Sequence, residues 1–175
     1  MPRNVEIKAR VRDRSALLAR AQKIAASQPV EIVQEDTFFA CSTGRLKLRA
    51  FSESHGELIF YRRPDSTQPK ESQYTICPTS CPSKLRELLA SALGECGRVR
   101  KKRTLLLVGK TRIHIDEVEG LGDFAELEVV LSEKDTVDKG IAEARQLMRE
   151  LGISEQDLVD KAYVDLLKNH RSTGH

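Results

Sequence analysis

Arg3-Asn4-Val5-Glu6-Ile7-Lys8-Ala9-Arg10-Val11-Arg12 is the stretch on which the fold turns. Read with a period of two, Val5, Ile7, Ala9 and Val11 share one face, and Asn4, Glu6, Lys8, Arg10 and Arg12 share the other. That alternation marks a strand with one apolar face. On a lone strand, a solvated face would account for the charged row. Here four later strands repeat the pattern, each with a row of charges on its polar face.

Outward from this strand, Asp13 is placed to cap a helix. Leu17, Leu18, Ala21, Ile24 and Ala25 recur at helical spacing until Ser27, and Pro29 ends the run. A meander of short strands follows: 34–41, 45–49, 57–63 and 70–77. Ser42-Thr43-Gly44 and Ser54-His55-Gly56 turn the chain, and a proline-containing loop covers 65–70. Ser83 opens a second helix with Leu85, Leu88, Leu89, Ala92 and Leu93 on one face. Strands resume at 98–108, 111–119 and 123–131, divided by Gly109-Lys110 and Gly120-Leu121-Gly122. A third helix is expected over 135–151. Ser154-Glu155-Gln156-Asp157 reads as a capping box that starts a last helix running to about Lys168.

Eight antiparallel strands can close on themselves. The expected class is therefore α+β: an eight-stranded antiparallel β-barrel with helices packed on the outside, against the apolar strand faces. The 175 residues suit one domain, 1–170, with a disordered tail at 171–175.

Hydrophobic residues make up 39% and charged residues 31%, so a globular protein in the cytoplasm is expected. There is no apolar run of membrane-spanning length and no signal-peptide shape. A net charge of +3, 5% aromatics and no tryptophan count against extended nucleic-acid contact. The four cysteines lack zinc-ligand spacing and read as free thiols. A homodimer is an open option.

With helices outside, the charged faces line the interior. They bring Glu6, Lys8 and Arg10; Arg45, Lys47 and Arg49; Lys101 and Arg103; Arg112, His114 and Asp116; and Glu126 with Glu128. Buried cations need a compensating anion. A di- or triphosphate gripped from several sides fits that need. Glu6, Asp116, Glu126 and Glu128 are oxygen donors suited to Mg2+ or Mn2+. Neutralising the neighbouring basic residues is the competing role for these acids.

The chain resembles the CYTH family, the triphosphate tunnel metalloenzymes, whose members include class IV adenylate cyclase and thiamine triphosphatase. The residues that carry the likeness are Asn4-Val5-Glu6-Ile7-Lys8 against Glu-x-Glu-x-Lys, Gly44 to Arg49, Arg62-Arg63-Pro64, Lys101-Lys102-Arg103, Arg112 to Gly122, Phe124 to Glu128, and Ala162-Tyr163 to Leu167. The resemblance implies a tunnel for triphosphate-bearing small molecules such as inorganic triphosphate or ATP, with Mg2+ or Mn2+. It implies Glu6, Asp116, Glu126 and Glu128 at the metal and Lys8, Lys47, Arg49, Arg63, Lys101, Arg103 and Arg112 on phosphate. His114 faces inward by parity, as a substrate contact or a structural histidine. Glu6, Lys8, Glu126 and Glu128 are the expected catalytic set.

Arg62 would replace Arg63 if the register slipped by one. Lys70 and Arg10 are weaker phosphate candidates. Lys161 and Tyr163 are placed to close one mouth. Asn4 stands where the family has a glutamate, which removes a negative charge and implies a weaker or missing metal position. The expected activity is metal-dependent phosphoanhydride hydrolysis. The alternatives are cyclisation of ATP to cyclic AMP and a non-catalytic nucleotide- or polyphosphate-binding module.

Overall fold

The computed structural model describes residues 2–172; of the tail expected at 171–175, residues 173–175 lie outside the described residues. In chain order the elements are β1 (Arg3–Arg10), α1 (Arg14–Ile24), β2 (Val30–Phe39), β3 (Arg45–Ala50), β4 (Gly56–Arg62) and β5 (Lys70–Thr79). Then come α2 (Pro82–Leu93), β6 (Glu95–Val108), β7 (Thr111–Val118), β8 (Gly122–Leu131), α3 (Val137–Leu151) and α4 (Tyr163–Ser172). The strands are hydrogen-bonded in the closed order β1-β5-β4-β3-β2-β6-β7-β8.

The expected β-barrel with helices packed on its outside is corrected to a closed ring of eight strands that helices jacket only in part. α3 packs on β1 and β8, and α1 on β6 and β7, whereas among the described residues no helix packs extensively on β4 or β5. α2 rests on β2 and β3 but leaves Leu88 62% exposed, so its apolar face is largely unburied. The apolar core follows the same division. Ile7, Leu106, Ile113, Ile115 and Leu127 meet Leu17, Ala21, Leu147 and Leu151 beneath α1 and α3.

Local chemistry sets these helices. Asp13 Oδ1 accepts from the Ala16 N–H at 2.9 Å to cap α1. The Thr136 hydroxyl caps α3, and Gly152, at φ 71°, closes it in the left-handed conformation that glycine takes without a Cβ clash. Gly140 lets α3 approach the sheet closely, because a Cβ there would lie 2.8 Å from Val5 Cγ2.

Several boundaries also differ, two of them for a tertiary reason. β2 begins at Val30 rather than 34, because Val30–Val33 continues the ladder against Leu105–Lys102 of β6. The capping box caps only a single 3-10 turn, Glu155–Asp157, and the last helix starts at Tyr163. Between them the chain runs extended over the end of β1, where the Val159 N–H donates to the Lys8 carbonyl at 2.8 Å and Leu158 bridges Ala9. That tertiary pairing, with the burial of Ala162 and Tyr163, outcompetes the local helix signal. Among the described residues, no helix is long and apolar enough to cross a membrane. All four cysteines are free thiols.

Candidate functional site

Closing the ring turns the charged faces inward around a cavity of about 280 Å³. Glu6, Lys8, Lys47, Arg49, Arg63, Lys101, Arg103, Arg112, His114, Glu126 and Glu128 all line it. Register explains the convergence. Glu6 stands opposite Glu128 and Lys8 opposite Glu126 across β1 and β8, while His114 and Arg112 face Glu126 and Glu128 across β7 and β8.

Sequence alternation leaves the interior cations without assigned internal partners; in the structure carboxylates pair most of them. Arg103 makes a bidentate pair with Asp116 at 2.6 and 2.7 Å and also reaches Glu126 at 2.9 Å. Asp116, fully buried, accepts in addition from Lys101 at 3.3 Å and from the Tyr163 hydroxyl at 2.9 Å. Burial alone would push its carboxyl up; Arg103 and Lys101 outweigh burial and hold it at about 2. Asp116 thus lies in the wall behind the cavity, fastening cations in place. The Tyr163 ring packs 3.9 Å from Lys8 Nζ and 4.8 Å from Lys101 Nζ, so α4 contributes to the interior of the ring.

The remaining carboxylates are less committed. Glu128 accepts from Arg112 Nε at 2.9 Å, and Glu126 lies 3.4 Å from Lys8 Nζ. His114 Nδ1 stands 3.9 Å from Glu126 and 3.8 Å from Glu128, beyond hydrogen-bond length, and has no hydrogen-bond partner. Burial, helped by Arg103, pushes the His114 pKa down, which favours neutral imidazole. One donor atom each from His114, Glu126 and Glu128 lies within 4.8 Å of the others, an arrangement able to hold a divalent ion. The expected metal set is Glu6, Asp116, Glu126 and Glu128. Of these, Glu126 and Glu128 fall in the cluster with His114, while Asp116 is bonded to Arg103, Lys101 and Tyr163 and Glu6 to Arg63 at 2.7 Å. Burial raises the Glu6 pKa; Arg63 opposes this and Glu128 adds to it.

On the opposite wall, Asp36 binds Arg49 at 2.8 and 2.9 Å and Lys47 at 3.2 Å. Burial pushes its pKa up, but Arg49 and Lys47 outweigh this and set it well below the usual range. This residue is absent from the set expected on sequence grounds. Its signal is parity: Gln34, Asp36 and Phe38 alternate with the outer face of β2, and Asp36 pairs with Arg49 in register. Lys8 and Lys47 are both desolvated, and burial lowers each ammonium to about 8.

The other candidates divide. Arg63 faces the cavity, while Arg62 donates to the Thr43 carbonyl at the surface. Lys70 is occupied by the carbonyls of Ser66 and Asp160, at 2.6 and 3.2 Å. Arg10 packs its guanidinium 5.0 Å from the Phe124 ring. Lys161 is exposed, and its backbone carbonyl accepts from Lys8 at 3.1 Å. Asn4 lines the cavity, while its Oδ1 is buried and has no hydrogen-bond partner among the described residues.

Comparison with known proteins agrees with this architecture. The CYTH domain model matches residues 2–163. A candidate adenylate cyclase of Methanocaldococcus jannaschii is 25% identical, covering 93% of this chain and 97% of its own. A solved structure from Pyrococcus horikoshii superposes with a TM-score of 0.83 at 21% identity, over 94% of this chain and 99% of that one. A candidate adenylyl cyclase from Hippeastrum, whose structure is described as revealing a dominant triphosphatase activity, superposes with a TM-score of 0.64. It is 15% identical and covers 97% of this chain and 96% of that one. A closed eight-stranded ring with a charged interior, matched by the family model over nearly its whole length, belongs to the CYTH family of triphosphate tunnel metalloenzymes, which is related to the class IV adenylate cyclases.

Proposed function

We propose that the protein is a metal-dependent hydrolase of phosphoanhydride bonds in triphosphate-bearing molecules. One observation carries this reading: seven Lys and Arg side chains converge on the 280 Å³ cavity beside the His114, Glu126 and Glu128 donors. Oxygen donors suit Mg2+ and Mn2+, and the unpartnered His114 nitrogen completes a donor set that fits a divalent ion. Bound there, the ion neutralises charge on the phosphate oxygens.

The protein's own groups do the rest. Lys8, Lys47, Arg49, Arg63, Lys101, Arg103 and Arg112 hold the phosphates through charge-assisted hydrogen bonds. Arg103 is already aligned by Asp116, so little reorganisation accompanies the reaction. A water oriented by a carboxylate of the Glu126–Glu128 pair attacks the terminal phosphorus. The bridging P–O bond breaks, the leaving phosphate takes the bond electrons, and the water's proton passes to the carboxylate and then to solvent.

The triphosphatase activity described for the Hippeastrum protein supports hydrolysis. The M. jannaschii relative favours a second reading, in which a ribose hydroxyl attacks the α-phosphorus and pyrophosphate leaves. Inorganic triphosphate, ATP and thiamine triphosphate, each with Mg2+ or Mn2+, distinguish the two when phosphate and cyclic AMP are both measured. Hydrolysis predicts phosphate release that falls about 100-fold in Glu128→Ala. Cyclic AMP as the main product would replace hydrolysis by cyclisation. Binding without turnover would make the protein a binding module.

A further inference from the structure

We propose that the organic end of the substrate is an aliphatic chain: the tunnel takes a di- or triphosphate ester of an aliphatic alcohol, whose chain lies on an apolar arc at the open mouth. The proposal rests on the phosphate-binding part of the reading above and names the rest of the molecule.

The two ends of the ring differ. Beyond Ala9, near the end of β1, the Leu158–Tyr163 segment covers the ring. The opposite mouth is open, and one side of it is apolar. Six large apolar side chains are exposed among the described residues, and three of them stand at this mouth: Val30 at 53%, Ile76 at 45% and Leu107 at 39%. Val30 opens β2, Leu107 is the last residue but one of β6, and β5 runs past Arg3, the first residue of β1, to reach Ile76.

Register turns all three inward, because residues directly opposite in an antiparallel ladder share a face. Leu107 is opposite Arg112. Val30 is opposite Leu105, and Leu105 is opposite His114. Ile76 is opposite Ile59, and Ile59 is opposite Lys47. Arg112, His114 and Lys47 line the cavity, so the exposed side chains continue its wall outward. Ile32, Phe51 and Ile59, also in that wall, complete the arc. These six come from β5, β4, the turn after β3, β2 and β6, which follow one another around the ring. Glu57 is the carboxylate on this arc, opposite Arg49 in register. The other side of the ring, on β7, β8 and β1, carries Arg112, Glu128 and Asn4.

The arc selects the kind of group that leaves the cation cluster through this mouth. A nucleobase is recognised by donors and acceptors placed along its edges. Aliphatic side chains offer none. They reward an apolar chain instead, by about fourfold in affinity for each CH2 removed from water.

Calorimetric Kd values test this without turnover. The probes are triphosphate with methylene groups in place of both bridging oxygens, its methyl and hexyl esters, and the ATP analogue with the same bridges. The hexyl ester should bind about 30-fold tighter than the methyl ester, the gain expected when half of the added CH2 groups are buried. In the triple variant Val30→Ser, Ile76→Ser, Leu107→Ser that gain should fall below about threefold. Unchanged binding of the unesterified probe reports that the variant is folded with its cation cluster intact. A gain that survives in the variant, or an ATP analogue that binds tighter than the hexyl ester, would overturn the assignment. A flat series with the unesterified probe still bound would overturn it too, and would leave the arc to a second copy of the chain or a partner protein. Failure of every probe to bind would remove the phosphate site as well. Chain-length-dependent binding with no phosphate released from the oxygen-bridged hexyl triphosphate would remove hydrolysis and keep the aliphatic assignment.

Discussion

Asp116 and Glu128 are both acids facing inward from neighbouring strands, yet they occupy opposite kinds of site. Asp116 is fully buried and shared among Arg103, Lys101 and Tyr163. Glu128 keeps one arginine partner and stands beside His114, whose Nδ1 has none. The first carboxylate spends its acceptor capacity on holding cations still. The second retains capacity for a ligand. Burial and partner count, rather than residue type, separate scaffold from site.

The sharpest way to break this comparison is Asp116→Ala. It should lower stability by about 3–5 kcal/mol, because Arg103 and Lys101 would remain buried without their anion. Chemical denaturation measures it, and an unchanged midpoint would place Asp116 in the site rather than the scaffold. Glu128→Gln should do the reverse: turnover falls about 100-fold, equivalent to about 2.7 kcal/mol, while the denaturation midpoint barely moves.

Affinity for inorganic triphosphate should be level below pH 8 and weaken above it, by up to tenfold per unit for each lysine lost. The cause is that Lys8 and Lys47 lose their charge near pH 8. The free protein shows the opposite sign. These lysines titrate below their unfolded value, so the unfolded chain binds more protons between about pH 8 and 10.5, and the two groups make stability rise with pH there. A flat Kd from pH 7 to 10 would remove them from the phosphate contacts. Smallest of all, Tyr163→Phe should cost about 1 kcal/mol by deleting one hydrogen bond to Asp116, with the ring retained under Lys8. A large loss of turnover at unchanged stability would show Tyr163 to be more than scaffold.

Alternation along β1, β3, β7 and β8 is enough to place Glu6, Lys47, His114 and Glu128 on inward faces, because side-chain period in a strand is a local property. The same parity covers Asp36, but one acid between Gln34 and Phe38 carries no visible purpose until β3 brings Arg49 opposite it. The last helix departs from its local signal for a related reason. Ser154 does cap a turn, yet pairing of Leu158 and Val159 with β1 sets the path of the chain from there to Tyr163.

The sequence by itself determined which face of each strand carries the charges and the antiparallel meander, although Arg10, expected inside, is exposed and Arg45 pairs with Asp165 instead of lining the cavity. Only the tertiary structure decided which charges cancel. Arg103 with Asp116 and Asp36 with Arg49 are pairs made across different strands, and Arg63, just past the end of β4, reaches Glu6 of β1. The physical reason is range. A strand's pattern depends on its own neighbours, whereas ion pairing and burial depend on ring closure and register, which bring together residues up to 57 positions apart in these pairs. The same closure buries Asn4, whose amide oxygen has no partner among the described residues.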